Sequence, residues 1–194
     1  MALPVQFEKD RYSEDEYFDF EQSSFGRWEY VNGEIRAVAG GTDDHNTILG
    51  NVGTALRVAL SGKACRVYFA EMKLHTCDGI NTFPDVAVVC GPRQYYRNRK
   101  DVVTNPILIA EVLSDSTAGY DRGDKFDHYK TIAALQDYLM VFQDKPHVIL
   151  NTRGGDGWIE RDYVGLESVV PLPSLGVELA LADVYEQIEF DGAS

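Results

Sequence analysis

The sequence predicts a single domain over residues 1–194 that combines helices and strands, of the α/β or α+β class, with a central mixed sheet flanked by helices. Two short apolar runs with strand character, Val86–Cys90 and Ile107–Leu113, lie in the middle of the chain. Stretches with helical spacing of apolar residues precede and follow them, and a sheet covered by helices satisfies both patterns. A chain of 194 residues that is 44% hydrophobic can bury one sizeable core and is too short for two ordinary domains.

Capping and turn signals separate the elements of the first half of the chain. Ser13 and Glu16 form a capping-box pattern, which predicts the start of a short acidic helix. Asn32-Gly33 is a pair typical of tight turns between antiparallel strands. The predicted elements are a helix from Ser13 to about Glu21, a strand over Arg27–Ile35 interrupted by that turn, a helix from about His45 to Leu60, and a strand over Arg66–Leu74.

The second half predicts more strands than helices. Arg153-Gly154-Gly155-Asp156 separates two strand-like runs and predicts an additional C-terminal β-hairpin. The other predicted elements are the strands Val86–Cys90 and Ile107–Leu113, a helix capped within Thr117–Asp121 and ending near Ala134, a strand over Asp137–Gln143, the hairpin strands His147–Asn151 and Gly157–Val164, a short strand near Gly176–Leu179 and a short helix near Asp183–Ile188.

The acidic charge of the chain is concentrated at its two ends. The formal net charge is −13. Residues 1–34 carry 3 basic and 9 acidic side chains, residues 151–194 carry 2 and 9, and residues 35–150 carry 13 of each. Overall acidity argues against efficient non-specific binding to nucleic acid, since phosphate contacts require lysine and arginine. The balanced middle segment weakens that objection.

Cysteine usage and the absence of long apolar runs indicate a cellular location. Cys65, Cys77 and Cys90 are odd in number and lack CxxC or zinc spacing, so neither a disulfide framework nor a zinc site is expected. No run approaches membrane-spanning length, and residues 1–10 have no apolar signal core. We therefore expect a cytoplasmic protein in a reducing compartment, with no membrane association.

Two carboxylates and one lysine suggest metal-dependent phosphodiester chemistry. Asp85 follows Pro84 and opens one apolar run, and Glu111 interrupts another. A carboxylate within a buried strand is costly unless it is paired or bound to a metal, and hard cations prefer oxygen ligands. Lys125 lies on the next predicted helix, on one face with Asp121 and Tyr129, where its ammonium can point at the strand ends.

Structural interpretations of the same residues remain open. Pro-Asp is common in turns, and Glu111 could form a structural ion pair with Lys125. Lys125 could also be a solvated residue that pairs with Asp121. The three histidines other than His45 are isolated in the sequence and are typical of surface or core histidines: His75, His128 and His147.

These residues belong to a longer set of motifs that resembles the Uma family of proposed restriction endonucleases, within the PD-(D/E)XK nuclease superfamily. The resemblance covers about residues 10–190. The matching motifs are Asn32-Gly33-Glu34, His45 with Ile48, Phe83-Pro84-Asp85-Val86, Ile109-Ala110-Glu111-Val112-Leu113-Ser114 with Ser116-Thr117, Asp121-Arg122 with Lys125 and Tyr129, and Gln136-Asp137-Tyr138.

The resemblance implies a restriction-endonuclease-like core and a site for Mg²⁺ or Mn²⁺. Asp85 and Glu111 would bind the metal. The superfamily usually places its lysine two residues after the glutamate, where this chain has Leu113, so the resemblance assigns that role to Lys125. Two further departures are Asp115 in place of a proline and Leu139 in place of a tryptophan; Asp115 would add negative charge near a phosphate site.

Glu34 and His45 are accessory candidates for the catalytic site. Glu34 follows the tight turn and could supply a third acidic ligand or position water; equally, it could be an exposed acid at the end of a strand. His45 precedes a helix and could take part in the site or simply lie near the helix cap beside Asp43 and Asp44.

DNA is the substrate that the resemblance implies, and a loop between the two carboxylate strands offers contacts for it. Guanidinium groups suit phosphate, and tyrosines can stack on bases. The alternative is a solvated connecting loop. The functional alternatives are a non-catalytic binding or assembly module and hydrolysis of another phosphorylated substrate. A homodimer is expected, since such nucleases cut two strands. The cations of the loop are Arg93, Arg97, Arg99 and Lys100.

Overall fold

A computed structural model of the chain describes residues 9–114, 119 and 123–190. The helices are α1 (Glu14–Ser23), α2 (Asp43–Ala59), α3 (Asp124–Lys130) and α4 (Leu181–Val184), with a 3₁₀ turn at Tyr96–Asn98. The strands are β1 (Trp28–Val31), β2 (Glu34–Ala37), β3 (Cys65–Phe69), β4 (Lys73–His75), β5 (Asn81–Thr82), β6 (Val86–Cys90), β7 (Val102–Val103), β8 (Leu108–Leu113), β9 (Asp137–Phe142), β10 (His147–Gly154), β11 (Gly157–Val164), β12 (Val169–Leu172) and β13 (Val177–Ala180).

A six-stranded mixed sheet forms the centre of the fold, with the order β11-β10-β9-β8-β6-β3. β8 and β9 are parallel, whereas β6 is antiparallel to both of its neighbours, β8 and β3. α2 packs on one face through Ile48, Val52 and Leu56. α3 packs on the other face through Phe126 and Tyr129. The predicted mixed sheet flanked by helices is thereby confirmed.

Side-chain alternation along β8 determines the face of the sheet on which Glu111 lies. Leu108, Ala110 and Val112 join the core beneath α2, while Ile109 and Leu113 join the core beneath α3. Successive side chains of a strand point to opposite faces. Glu111 therefore points to the α3 side, between two buried apolar neighbours.

A second sheet, with the order β2-β1-β5-β4-β7, carries α1. The predicted strand Arg66–Leu74 is wrong as one element, because a turn closed by the Met72 N–H on the Phe69 carbonyl divides it between the two sheets. After this turn Lys73 is almost fully buried, paired with Glu21 and close to the rings of Tyr17, Phe18 and Phe83. Burial lowers the pKa of Lys73.

Local signals fixed several boundaries correctly. The capping box of α1 is present, since Ser13 and Glu16 each bond the other's backbone N–H. The C-terminal hairpin β10–β11 turns at Gly155-Asp156, within the predicted turn. α3 ends at Lys130, earlier than expected, and Arg153 donates to the Lys130, Ile132 and Leu135 carbonyls just beyond its end. Apart from residue 119, its predicted start at Thr117–Asp121 lies outside the described residues, as does Asp115.

The expectation that no disulfide forms was wrong. Cys65 and Cys90 are joined by a disulfide across the pairing of β3 with β6, with their Cα atoms 4.0 Å apart. They are separated by 25 residues in the sequence, so only the register of the two strands brings them together. Cys77 is a free, exposed thiol. The cysteine count therefore no longer supports a reducing compartment. In the part of the chain that the structure describes, no helix is long and apolar enough to cross a membrane.

Candidate active site

Strand register brings Asp85 and Glu111 together. β6 and β8 are antiparallel, with Val86 opposite Ala110, so Asp85 falls opposite Glu111 one step further along. Opposed residues of paired strands point to the same face of the sheet. The Asp85 N–H donates to Oε2 of Glu111 at 3.3 Å, and the Val112 N–H donates to Oδ2 of Asp85 at 2.8 Å. The two carboxylates are thus held side by side, as the sequence predicted.

Two residues of α3 meet the same oxygen of Glu111. Lys125 Nζ lies 2.9 Å from Oε1, and the Tyr129 hydroxyl donates to Oε1 at 2.7 Å. The side chains of Glu111 and Lys125 are 4% and 10% exposed, so their charges are largely shielded from water. Burial and the nearby Glu111 carboxylate raise the pKa of Tyr129 well above its usual value. Tyr129 therefore remains a neutral hydrogen-bond donor.

His45 reaches Asp85 from the opposite side of the sheet. It lies in the first turn of α2, where its backbone N–H donates to the Thr42 side chain that caps the helix. Its Nε2 is 3.3 Å from Oδ1 of Asp85. His45 therefore lies next to the helix cap and also contacts a carboxylate of the cleft, so the two alternatives for this residue are compatible.

The structure does not bring Glu34 to these groups. It lies on β2, half exposed, and pairs with Arg36 at 2.6 Å. The acidic residue that the early hairpin contributes is instead Glu29 of β1, which lines the same cleft as Asp85 and Glu111. Glu29 accepts hydrogen bonds from the Thr82 hydroxyl and from the Phe83 N–H. Sequence reasoning missed Glu29, although alternation along Arg27–Ile35 was a signal that could have suggested it.

These groups line one cleft with a volume of about 370 Å³. Its walls come from both sheets and from the N-terminal end of α2. Arg27 adds a guanidinium group, which donates to the Ala70 carbonyl at 3.0 Å. The charged and titratable side chains that line the cleft are Arg27, Glu29, His45, Asp85, Glu111 and Lys125.

The basic loop predicted to contact DNA is partly committed elsewhere. Arg97 pairs with Asp15 and, at 3.0 Å, with Glu14 of α1. Arg99 pairs with Asp101 and lies over the Phe18 ring, with its guanidinium carbon 4.3 Å from the ring centroid. Arg93 and Lys100 are exposed, and none of the four cations lines the cleft. Arg97 and Arg99 are therefore engaged with acidic residues of their own chain, which fits neither a DNA contact nor a simply solvated loop.

The donor set of the cleft suits a hard divalent cation that keeps several waters. Among the residues that the structure describes, no group of three or more histidine, cysteine or acidic side chains forms a complete metal centre. Mg²⁺ commonly binds through one or two carboxylates and completes its shell with water and substrate phosphate. Each carboxylate oxygen has two acceptor sites. Among the described residues each oxygen of Asp85 has one hydrogen-bond partner, His45 at Oδ1 and the Val112 N–H at Oδ2, so Asp85 keeps acceptor capacity for a metal. The residues present therefore fit Mg²⁺ or Mn²⁺.

Comparison with known proteins agrees with this fold. A crystal structure of a "putative nuclease belonging to DUF820" from Anabaena variabilis superposes with a TM-score of 0.72, covering 88% of this chain and 98% of that one at 16% identity. The chain is 34% identical over 180 residues to the uncharacterized protein slr1290 of Synechocystis sp., covering 92% of this chain and 93% of the relative. A second Synechocystis protein, the uncharacterized sll1609, is 36% identical over 152 residues, covering 77% and 86%.

This chain shares its fold with the Anabaena protein. In this chain the mixed sheet carries the two apposed carboxylates Asp85 and Glu111. Residues 14–182 match the Uma2 family, described as "Putative restriction endonuclease". The chain belongs to that family, and the predicted membership is confirmed.

Proposed function

We propose that this protein is an endonuclease that hydrolyses phosphodiester bonds in DNA and depends on Mg²⁺ or Mn²⁺. The observation that carries the proposal is the apposition of Asp85 and Glu111 in one cleft, where Lys125 forms an ion pair with Glu111. Membership of the family described as "Putative restriction endonuclease" supports the reaction class.

Asp85 and Glu111 are the proposed metal ligands. When bound, a divalent cation lowers the pKa of a water ligand and offsets negative charge at phosphorus. The chain supplies the orientation of the two carboxylates. The Val112 N–H fixes Oδ2 of Asp85, and the backbone of Asp85 in turn holds Glu111. Such preorganisation avoids reordering the ligands when substrate arrives.

Lys125 provides the positive charge of the site. Its ammonium lies on Glu111 and borders the cleft, where it can orient a water molecule or stabilise the charge that develops on phosphate. Tyr129 is a positioning residue: its hydroxyl holds Oε1 of Glu111 from within the core. His45 is proposed to orient Asp85 through the contact at Oδ1.

Cleavage of supercoiled plasmid with Mg²⁺ or Mn²⁺, and with EDTA as a blank, tests this proposal. We expect nicked and linear products from the wild type and none from Asp85→Asn or Glu111→Gln. Asp137→Asn is a matched control, because Asp137 is also a buried carboxylate of the central sheet but bonds Thr152 and Ser174 away from the cleft. Cleavage that persists in both site variants would refute the assignment, and a parallel RNA substrate tests the choice of nucleic acid.

A second candidate is a non-catalytic module that keeps the nuclease fold. It is favoured by the net charge of −13 and by the engagement of Arg97 and Arg99 with acidic residues of their own chain. This candidate predicts no cleavage of DNA or RNA at any metal concentration, together with unchanged folding of the Asp85→Asn variant.

A further inference from the structure

A basic cavity of about 440 Å³ lies between the end of α2 and the start of β3. Three cations line it, and no carboxylate does. In a chain with a net charge of −13, such a cluster is a local exception that can attract an anion. The lining residues are Arg57, Leu60, Ser61, Gly62, Lys63, Cys65, Arg66 and Val67.

The three cations differ in how firmly they are held. Lys63 Nζ donates to the Leu175 carbonyl at 2.6 Å and to the Gly176 carbonyl at 3.1 Å, which fixes this ammonium against the turn between β12 and β13. An ammonium has three donors, so one remains for a ligand. Arg57 and Arg66 are exposed, and neither forms an ion pair within the described part of the chain. This contrasts with Arg97 and Arg99, whose charges are already neutralised.

The basic cavity and the catalytic cleft lie at opposite ends of α2. Asn46 lines the cleft, and Arg57 lines the basic cavity. The two residues are eleven positions apart, close to three full helical turns, so they lie on the same side of the helix. Eleven residues of helix span about 17 Å.

We infer that Arg57, Lys63 and Arg66 form a phosphate-binding site that holds the nucleic-acid backbone about five nucleotides from the phosphate in the catalytic cleft. The estimate of five follows from the span of about 17 Å and a rise of about 3.4 Å per nucleotide. Guanidinium groups bind phosphate oxygens in pairs, which suits the two uncommitted arginines. The inference rests on the proposed function, because a polynucleotide is the substrate that supplies phosphates at this spacing.

Binding of a fluorescein-labelled 20-base-pair DNA duplex, measured by anisotropy in Ca²⁺ over a range of salt concentrations, tests the inference. We expect Arg57→Gln/Arg66→Gln to weaken binding about tenfold at low salt and to reduce the slope of log K against log salt by about 2. The control is Lys145→Gln/Arg161→Gln, which removes the same charge from exposed positions that line neither the catalytic cleft nor the basic cavity. Equal effects in the two double variants, or no effect in either, would overturn the inference.

Two further experiments are needed. One distinguishes nucleic acid from a free phosphate compound as the ligand, and the other distinguishes failure of this inference from failure of the proposed function. Titration with pyrophosphate asks whether a free phosphate compound binds; binding that requires Arg57 and Arg66 while DNA is not bound would overturn the nucleic-acid assignment of this site. Plasmid cleavage by the same variants is the second experiment. If the wild type cleaves DNA and Arg57→Gln/Arg66→Gln cleaves and binds equally well, the site fails while the nuclease stands. Thermal unfolding of each variant verifies that it is folded.

Discussion

Replacing Lys125 with methionine probes the most deeply shielded charge pair of the site. The ammonium lies 2.9 Å from Glu111, whose side chain is only 4% exposed, so the variant leaves a carboxylate buried without its cation. Removing one partner of a buried pair costs about 3–5 kcal/mol. Glu111 keeps hydrogen bonds from Tyr129 and from the Asp85 N–H, so we expect the lower end of that range, about 3 kcal/mol. In a domain of this size this corresponds to a fall in Tm of about 6–12 °C.

Urea and thermal unfolding of Lys125→Met, Glu111→Gln and the double variant measure this coupling. Because the double variant removes both charges, we expect it to be more stable than Lys125→Met alone. We also expect Mn²⁺ to raise the Tm of Lys125→Met more than that of the wild type, since a bound cation would replace the missing charge. A loss below about 1 kcal/mol for Lys125→Met, the value typical of exposed pairs, with no difference from the double variant, would refute the reasoning.

Three other substitutions test separate parts of the structure. Tyr129→Phe removes the hydroxyl that holds Glu111, and we expect Mn²⁺ affinity, measured by calorimetry, to fall about tenfold while the fold is retained; unchanged affinity would contradict the positioning role. Burial raises the pKa of Asp137 above its ordinary value of 3.8, so its contribution to stability is present below pH 3.8 and is lost as pH rises through the raised pKa. In the profile of unfolding free energy against pH, Asp137→Asn should remove the fall in stability above pH 3.8 that Asp137 causes. A profile identical to that of the wild type would contradict the raised pKa of Asp137. Gly53→Ala would place a Cβ against the Phe69 ring, and chemical denaturation should show a loss of about 1–3 kcal/mol despite the better helix propensity of alanine; a gain would show that the contact yields.

Elements with strong local signals could be predicted from the sequence, and those set by tertiary pairing could not. The capping box at Ser13 acts within one turn, so it fixed the start of α1 correctly. The alternation of the strand expected over Arg66–Leu74 has one irregularity, between Phe69 and Met72, and there the chain leaves the central sheet and enters the second sheet at Lys73. A single irregularity is equally typical of a bulge within one strand, so it does not by itself indicate a change of sheet. The disulfide between Cys65 and Cys90 depends on the same register and was missed for the same reason.

The candidate site shows a similar division. Asp85 opens one apolar run and Glu111 interrupts another. Because burying an unpaired carboxylate costs free energy, these two residues could be singled out from the sequence alone. Glu34 and Glu29 both lie in the early hairpin, and only the folded structure shows that Glu29 faces the cleft while Glu34 pairs with Arg36. The role of the loop cations depended on the position of α1, which no local pattern supplies.

Several expectations stay predictions. They are the roles of the site residues in metal binding and catalysis, the requirement for Mg²⁺ or Mn²⁺, the DNA substrate, the homodimer and the cytoplasmic location. Light scattering measures the oligomeric state directly: a mass near twice the 21.7 kDa of one chain would agree with the dimer.

Calorimetric titration with Mn²⁺ tests the central claim, that Asp85 and Glu111 hold one metal ion, most directly. The wild type and Asp137→Asn are predicted to bind Mn²⁺ alike, whereas Asp85→Asn and Glu111→Gln are each predicted to lose that binding. Wild-type binding that survives in both site variants would place the metal elsewhere and contradict the account.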